Sequence, residues 1–358
     1  MPLPDVRHGR GAPENRTPTR FNLPVREADG DWLDAREELD DGPPPLRTTV
    51  TVEKPKTIIA WNRSPDIGFD RSINSYRGCE HGCIYCFARP THAFHDLSPG
   101  LDFETKLFAK PDAAKILREE LAKPGYLVRP MAMGTNTDPY QPIEAKWRIT
   151  RSVLEVLAET RHPVMITTKS DRVLRDLDIL APMAAEGLAS VALSVTSLTR
   201  EISRTLEPRA PSGRKRLAAV KALSEAGVPA TVAIAPVIPG ITDHEVEHIV
   251  EAAAEAGATG AFFLPVRLPY EVAPLFRAWL DEHFPDRAEK VMNIIRSMRG
   301  GRDNDPNWFT RMSGSGPWAE LMRARFEIAA KKHGLNRDKR KLRTDLFVPP
   351  QGPQLRLL

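Results

Sequence analysis

From about residue 56 to 335 the chain alternates short β-rich runs with segments of helical period, and this alternation restricts the fold more than any other feature. Strands are expected at Ile73–Tyr76, Met131–Thr135, Val164–Thr168, Ser190–Val195, Thr231–Pro236 and Ala261–Val266. Helices are expected between them at Ala113–Ala122, Trp147–Glu159, Val173–Ala185, Arg214–Ala226 and His244–Ala256. In the last helix Val246, Ile249, Val250, Ala253 and Ala254 share one face, and Thr242-Asp243 stand where a cap belongs. Gly187, Gly227 and Gly257 follow helices where a left-handed terminal residue is favoured. Six strands in about 200 residues predict an α/β fold, a partial (β/α)6 TIM-type barrel rather than the complete eight-unit ring.

The barrel is assigned to residues 48–270. Before it, residues 1–47 read as an irregular arm rich in Pro and charge, closed by Pro43-Pro44-Pro45, with Phe21 and Trp32 as anchors to the body. After it come a C-terminal helical extension over 271–335 (Val272–Phe284, Ala288–Met298, Pro317–His333), expected on the barrel's open side, and a basic tail over 336–358. Lys331, Lys332, Arg337, Lys339, Arg340, Lys341 and Arg343 face Asp338 alone. Such a run is either a solvated helix end or a phosphate-binding patch for nucleic acid; the net charge of +4 does not by itself imply that partner.

Hydrophobic content of 41% with 27% charged residues fits a soluble globular protein. No apolar run approaches the ~18 residues of a membrane span, and the N-terminus has no apolar leader segment. No membrane association is expected. The only three cysteines, Cys79, Cys83 and Cys86, fall within eight positions, so a disulfide framework is excluded and a reducing, cytoplasmic location is expected.

Those cysteines form C-x3-C-x2-C directly after the first expected strand, in the first βα loop, at the end of a parallel barrel where active sites form. Three thiolates can hold three irons of a cubane [4Fe–4S] cluster and leave the fourth open. Gly78 and Gly82 let the backbone curl round such a cluster, and Tyr85 and Phe87 can shield it. The bland alternative is a structural zinc site with His81, His92 or His95 as fourth ligand, in a nucleic-acid-binding protein rather than an enzyme. A plain iron–sulfur electron carrier is a further alternative.

At these residues the chain resembles the radical S-adenosylmethionine (SAM) superfamily, whose hallmark is C-x3-C-x-aromatic-C. The text from Ser72 to His92, with Gly134-Thr-Asn-Thr-Asp-Pro-Tyr-Gln-Pro-Ile-Glu144 and Leu206-Glu-Pro-Arg-Ala-Pro-Ser212, is similar to an uncharacterised branch related to spore photoproduct lyase and labelled DNA repair photolyase-like. The resemblance covers roughly residues 50 to 335. It implies that SAM chelates the open iron, that an electron from a flavodoxin- or ferredoxin-type donor cleaves the sulfonium, and that the resulting 5′-deoxyadenosyl radical takes hydrogen from substrate.

The same resemblance assigns further positions. Gly134, Thr135 and Asn136 stand where the superfamily contacts the SAM amino group, and Lys169 is expected to pair with the SAM carboxylate. Ser194 and Thr196 are expected at the ribose and methionine moieties, and backbone groups of Val237 and Ile238 at the adenine edge. Tyr85 completes the cofactor set. Asp138 and Glu144 are either ligand contacts or turn and helix-start residues; Arg209 either clamps an acidic group or pairs with Glu207. Arg267 and Tyr270, just past the sixth strand, are placed toward substrate. Spore photoproduct lyase uses an additional cysteine as hydrogen donor, which this chain lacks; Tyr140 or Tyr270 would have to serve, or the substrate differs. A nucleic acid or nucleotide substrate is weakly favoured, with a peptide or small metabolite as the alternative.

Overall fold

The computed structural model describes residues 9–18, 46–338 and 341–350; Phe21, Trp32, Lys339 and Arg340 lie outside them. Ten strands lie among the described residues: β1 (Thr49–Val52), β2 (Ile59–Trp61), β3 (Arg71–Ile73), β4 (Tyr76–Arg77), β5 (Lys106–Ala109), β6 (Met131–Met133), β7 (Val164–Thr168), β8 (Ala189–Ser194), β9 (Ala230–Val237) and β10 (Gly260–Pro265). Seven form the main sheet in the order β10-β9-β8-β7-β6-β3-β2. β3 and β6 through β10 are mutually parallel, and β2 adds an antiparallel edge beside β3. This is the partial barrel expected from the alternating pattern. Val164, Ile166, Val191, Leu193, Val232 and Ile234 are buried along its strands, as inner positions of a helix-covered parallel sheet must be.

The structure departs from expectation where long-range side chains intervene. The first strand ends at Ile73 rather than Tyr76. Asn74 turns out of the sheet to bond Thr135 and the Asn136 amide, and Tyr76 joins a second, three-stranded sheet of order β1-β5-β4. The helix expected over Trp147–Glu159 is two helices, Glu144–Trp147 and Ile149–Glu159, broken at Arg148 (φ 52°). The buried Glu144 carboxylate sits at that break, accepting from the Thr150 amide at 3.0 Å. Asp171–Asp176 is a 3-10 turn leading into the helix Leu177–Ala185. Thr242 does not cap the helix Val246–Glu255; its hydroxyl accepts from the Ile238 amide at 2.9 Å, and a 3-10 turn over Asp243–Glu245 intervenes.

In the C-terminal region, helices Val272–His283 and Pro285–Met298 carry Phe276, Trp279 and Ile295 into a core shared with Ile84, Tyr85, Leu206, Ile238 and Val266. They therefore cover the C-terminal ends of the strands. Helix Pro317–Lys332 packs outside, on Val246–Glu255 and β10, through Phe263 against Phe326 (5.2 Å) and the Arg325–Glu247 ion pair. The segment before it, not this helix, reaches toward the opposite edge of the sheet. Arg311 there forms a two-pronged pair with Asp66, at 2.6 and 2.7 Å, in the turn joining β2 to β3.

Candidate active site

The cysteine loop leaves the end of β4 and is fastened from several sides. The Cys79 amide donates to the Phe103 carbonyl at 3.0 Å. Gln141 bridges the loop, accepting from the Glu80 amide (3.0 Å) and donating to the Gly78 carbonyl (3.1 Å). Arg89, fully buried, donates to the carbonyls of Cys83, Gly82, Pro99 and Gly100 and pairs with buried Glu104 at 2.6 Å. The second Glu104 oxygen reaches the N-terminal arm: the Gly11 and Ala12 amides donate to its two oxygens at 3.0 and 2.8 Å. A Cβ at Gly11 would stand 1.7 Å from the Gly82 carbonyl, so only glycine permits this approach. Gly82 itself is left-handed (φ 68°). Of the arm, then, residues 10–12 belong to the cysteine cradle, a role that its composition does not reveal.

Cys79 and Cys83 are buried and Cys86 is half-buried. Burial raises all three thiols above their ordinary range, helped at Cys79 by Asp138 and at Cys83 by Glu207, which leaves Cys83 at about 12. Thiols so placed become thiolates when a bound cation compensates them, and this donor set suits an iron–sulfur cluster. Among the described residues no group of three or more His, Cys, Asp or Glu surrounds a single-ion position. The three histidines offered for zinc have other neighbours, though His92 Nδ1 and His95 Nε2 are buried without a hydrogen-bond partner among the described residues. His81 Nδ1 lies 3.4 Å from Asp138, His92 Nε2 lies 2.9 Å from the Lys106 carbonyl, and His95 packs on Phe108 at 4.6 Å.

Next to Cys83 lies a buried polar network centred on Glu207. Its carboxylate accepts from the Tyr85 hydroxyl, from Thr196 Oγ1 at 2.7 Å and from Arg216, with Lys169 Nζ at 3.9 Å. Burial alone would raise Glu207, but the Arg216 and Lys169 charges and these bonds outweigh it and hold it at about 2. Arg216 also donates to the Ser194 carbonyl at 2.8 Å, tying the network to the end of β8. Lys169 stands 5.7 Å over the Tyr85 ring with its side chain 16% exposed, so its ammonium can reach a ligand. Tyr85, Lys169, Ser194 and Thr196 are thus brought together beside Cys83. Glu207, which holds them, lies in the Leu206–Ser212 segment that carries the resemblance, whereas its partner Arg216 has no such signal.

Gly134 ends β6 against β7: a Cβ there would meet the Thr167 carbonyl at 1.9 Å, and its φ is 86°. Thr135 and Asn136 follow at the same end, both held by Asn74. Asp138 is half-buried and accepts from Thr168 Oγ1 (2.6 Å), the Lys169 amide (2.7 Å) and the Tyr140 amide (2.9 Å). It orders the loop before Lys169; of the two readings offered for it, the turn is the one seen.

Other expectations are corrected. Tyr140 is fully buried with its hydroxyl on Asp176 at 3.0 Å, so it cannot meet a substrate at the rim. The Val237 carbonyl is taken by the Val266 amide, and the Ile238 amide and carbonyl by Thr242 and Ile241, which leaves few backbone groups there for an adenine edge. Arg209 pairs with Glu80 at 3.3 Å rather than with Glu207. Tyr270 is 65% exposed, and Arg267 is half-buried beside Met312. In the basic run, Arg343 pairs with Asp345.

Residues 73–253 match the model of the Radical SAM superfamily. An uncharacterized protein of Mycobacterium tuberculosis (strain H37Rv) is 36% identical over 242 residues, 66% of this chain and 71% of that one. An uncharacterized protein of Methanocaldococcus jannaschii is 28% identical over 251 residues, 69% of this chain and 89% of that one. Among solved structures, spore photoproduct lyase complexed with dinucleoside spore photoproduct superposes with a TM-score of 0.55 at 14% identity, covering 88% of this chain and 86% of that chain. The likeness to that lyase is one of fold.

Proposed function

Because the chain belongs to the radical SAM superfamily and is an enzyme of that class, we propose that Cys79, Cys83 and Cys86 hold one [4Fe–4S] cluster whose remaining iron receives SAM. The observation that carries this reading is the cysteine trio, two buried and one half-buried, in a loop whose Cys83 lies beside the Glu207 network at the end of β8. When bound, the cluster and SAM supply reductive sulfonium cleavage and a 5′-deoxyadenosyl radical for hydrogen abstraction; a flavodoxin- or ferredoxin-type protein supplies the electron.

The chain's own groups have separable tasks. Arg89 and Glu104 fix the loop that carries the three thiols. Lys169, held by Glu207, offers a cation to the SAM carboxylate, and Tyr85 and Thr196 are held by the same carboxylate beside it. Gly134, Thr135 and Asn136 offer polar groups to the SAM amino end. Helices Val272–His283 and Pro285–Met298 keep water from the reacting volume. We extend the proposal to a nucleotide-containing substrate, supported by the fold shared with spore photoproduct lyase. With every cysteine committed, Tyr270 is the exposed candidate to return a hydrogen atom.

Anaerobic reconstitution with iron and sulfide, then dithionite and SAM, tests the core claim. 5′-Deoxyadenosine should form and be lost in Cys83→Ala. Intact SAM after reduction of a verified cluster would overturn it.

A further inference from the structure

Among the described residues, two arginines at the end of β10 have no carboxylate within ion-pair distance. Arg267, half-buried, donates to the Met312 sulfur at 3.1 Å, a weak acceptor, and its Nε is buried without a hydrogen-bond partner among the described residues. Arg299, 2% exposed, gives its terminal nitrogens to the carbonyls of Val266, Thr310 and Arg311, and its Nε is likewise buried and unmatched. The third guanidinium, Arg311, takes up Asp66 completely, on both carboxylate oxygens. Asp305, the other acid in range, accepts instead from Thr310 Oγ1 and the Asn307 amide.

Buried or half-buried cations are ordinarily paired, because desolvation without a counter-charge is costly. The mutual repulsion is felt: burial, then Arg311, lowers Arg267, and burial, then Arg267, lowers Arg299 to about 10. Tyr270, three residues beyond Arg267, and Phe309, three before Met312, are exposed aromatics held at φ 50° and 68°. Bulky side chains seldom keep such backbone unless the surroundings impose it, and such positions gather at ligand sites.

We propose that Arg267, backed by the charge of Arg299, is a docking site for an oxyanion carried by the substrate, a phosphate ester or a carboxylate. A planar guanidinium whose Nε and one terminal nitrogen make no hydrogen bond among the described residues matches either group through two parallel bonds once the anion reaches the buried Nε. The inference rests on reading this end of the sheet as the active face. It is tested without turnover, so its failure leaves SAM cleavage untouched.

The anaerobically reconstituted, unreduced protein is titrated with inorganic phosphate and, separately, acetate at constant ionic strength, and melting and calorimetry are followed. Saturable binding with a raised Tm is expected. Phosphate alone would assign a phosphate ester, acetate alone a carboxylate. Arg267→Gln should weaken binding by at least about tenfold, the worth of a charged hydrogen bond, while Arg267→Lys restores part of it. Without added anion, Arg267→Gln should melt at or above the wild type, because it removes an uncompensated charge. No saturable binding, equal binding by Arg267→Gln, or a lower anion-free Tm for that variant would each overturn the proposal.

Discussion

His162 is sealed between Tyr126 and Phe347, with Nε2 2.9 Å from the Tyr126 hydroxyl and Nδ1 3.0 Å from the Pro163 carbonyl. Burial lowers it to about 4, below the ~6.5 of an exposed imidazole. The unfolded chain therefore binds the proton first as pH falls. Stability is full above about pH 6.5 and declines toward pH 4 at about 1 kcal/mol per unit. His92, also lowered to about 4 chiefly by burial, contributes a similar slope. Urea unfolding between pH 7 and 4.5 should thus show a shallower slope in His162→Gln than in the wild type, and an undiminished slope would refute the assignment. Gly134 sets a second residue-scale expectation. Its β-carbon would stand 1.9 Å from the Thr167 carbonyl, so Gly134→Ala should cost about 2–3 kcal/mol, read by thermal melting. An unchanged melting curve would mean that the strand end yields easily.

At the scale of elements, residues 10–12 tie the N-terminal arm to the cysteine loop through Glu104. Gly11→Val should displace the arm and reduce iron and sulfide retained per chain after reconstitution, with the circular dichroism of the barrel preserved. Full retention would show the arm to be dispensable. Periodicity located β7 to the residue, because an apolar run bounded by Pro163 and Lys169 has one reading. The end of β3 was illegible, since Asn74 is drawn away by partners 61 and 62 positions distant. The same holds for the site. The cysteine spacing is local and announces itself, as does Lys169 at a strand end. Glu104 and Arg89 are partners of the cysteine loop only in three dimensions, and Tyr140, a plausible rim residue by position, is turned inward by Asp176.

Across the whole molecule, the two edges of the main sheet are linked through side chains. Asp66 and Ser64, beside β2, receive Arg311 from the segment that Arg299 anchors to the end of β10. The Asp66 carboxylate is 4% exposed, so Asp66→Asn should strand Arg311 and cost about 3 kcal/mol. Hydrogen exchange should then quicken at β2 and β10 while β7 and β8 stay protected; uniform exchange would deny the link. A complete eight-stranded ring shares its backbone bonds all round and cannot widen without tearing a ladder. Here, among the described residues, Arg311 joins the two edges through Asp66 and Ser64, and release of those side chains leaves every strand pairing whole. An opening at that seam is therefore expected to cost side-chain bonds alone, whereas a closed ring would lose backbone ladder bonds.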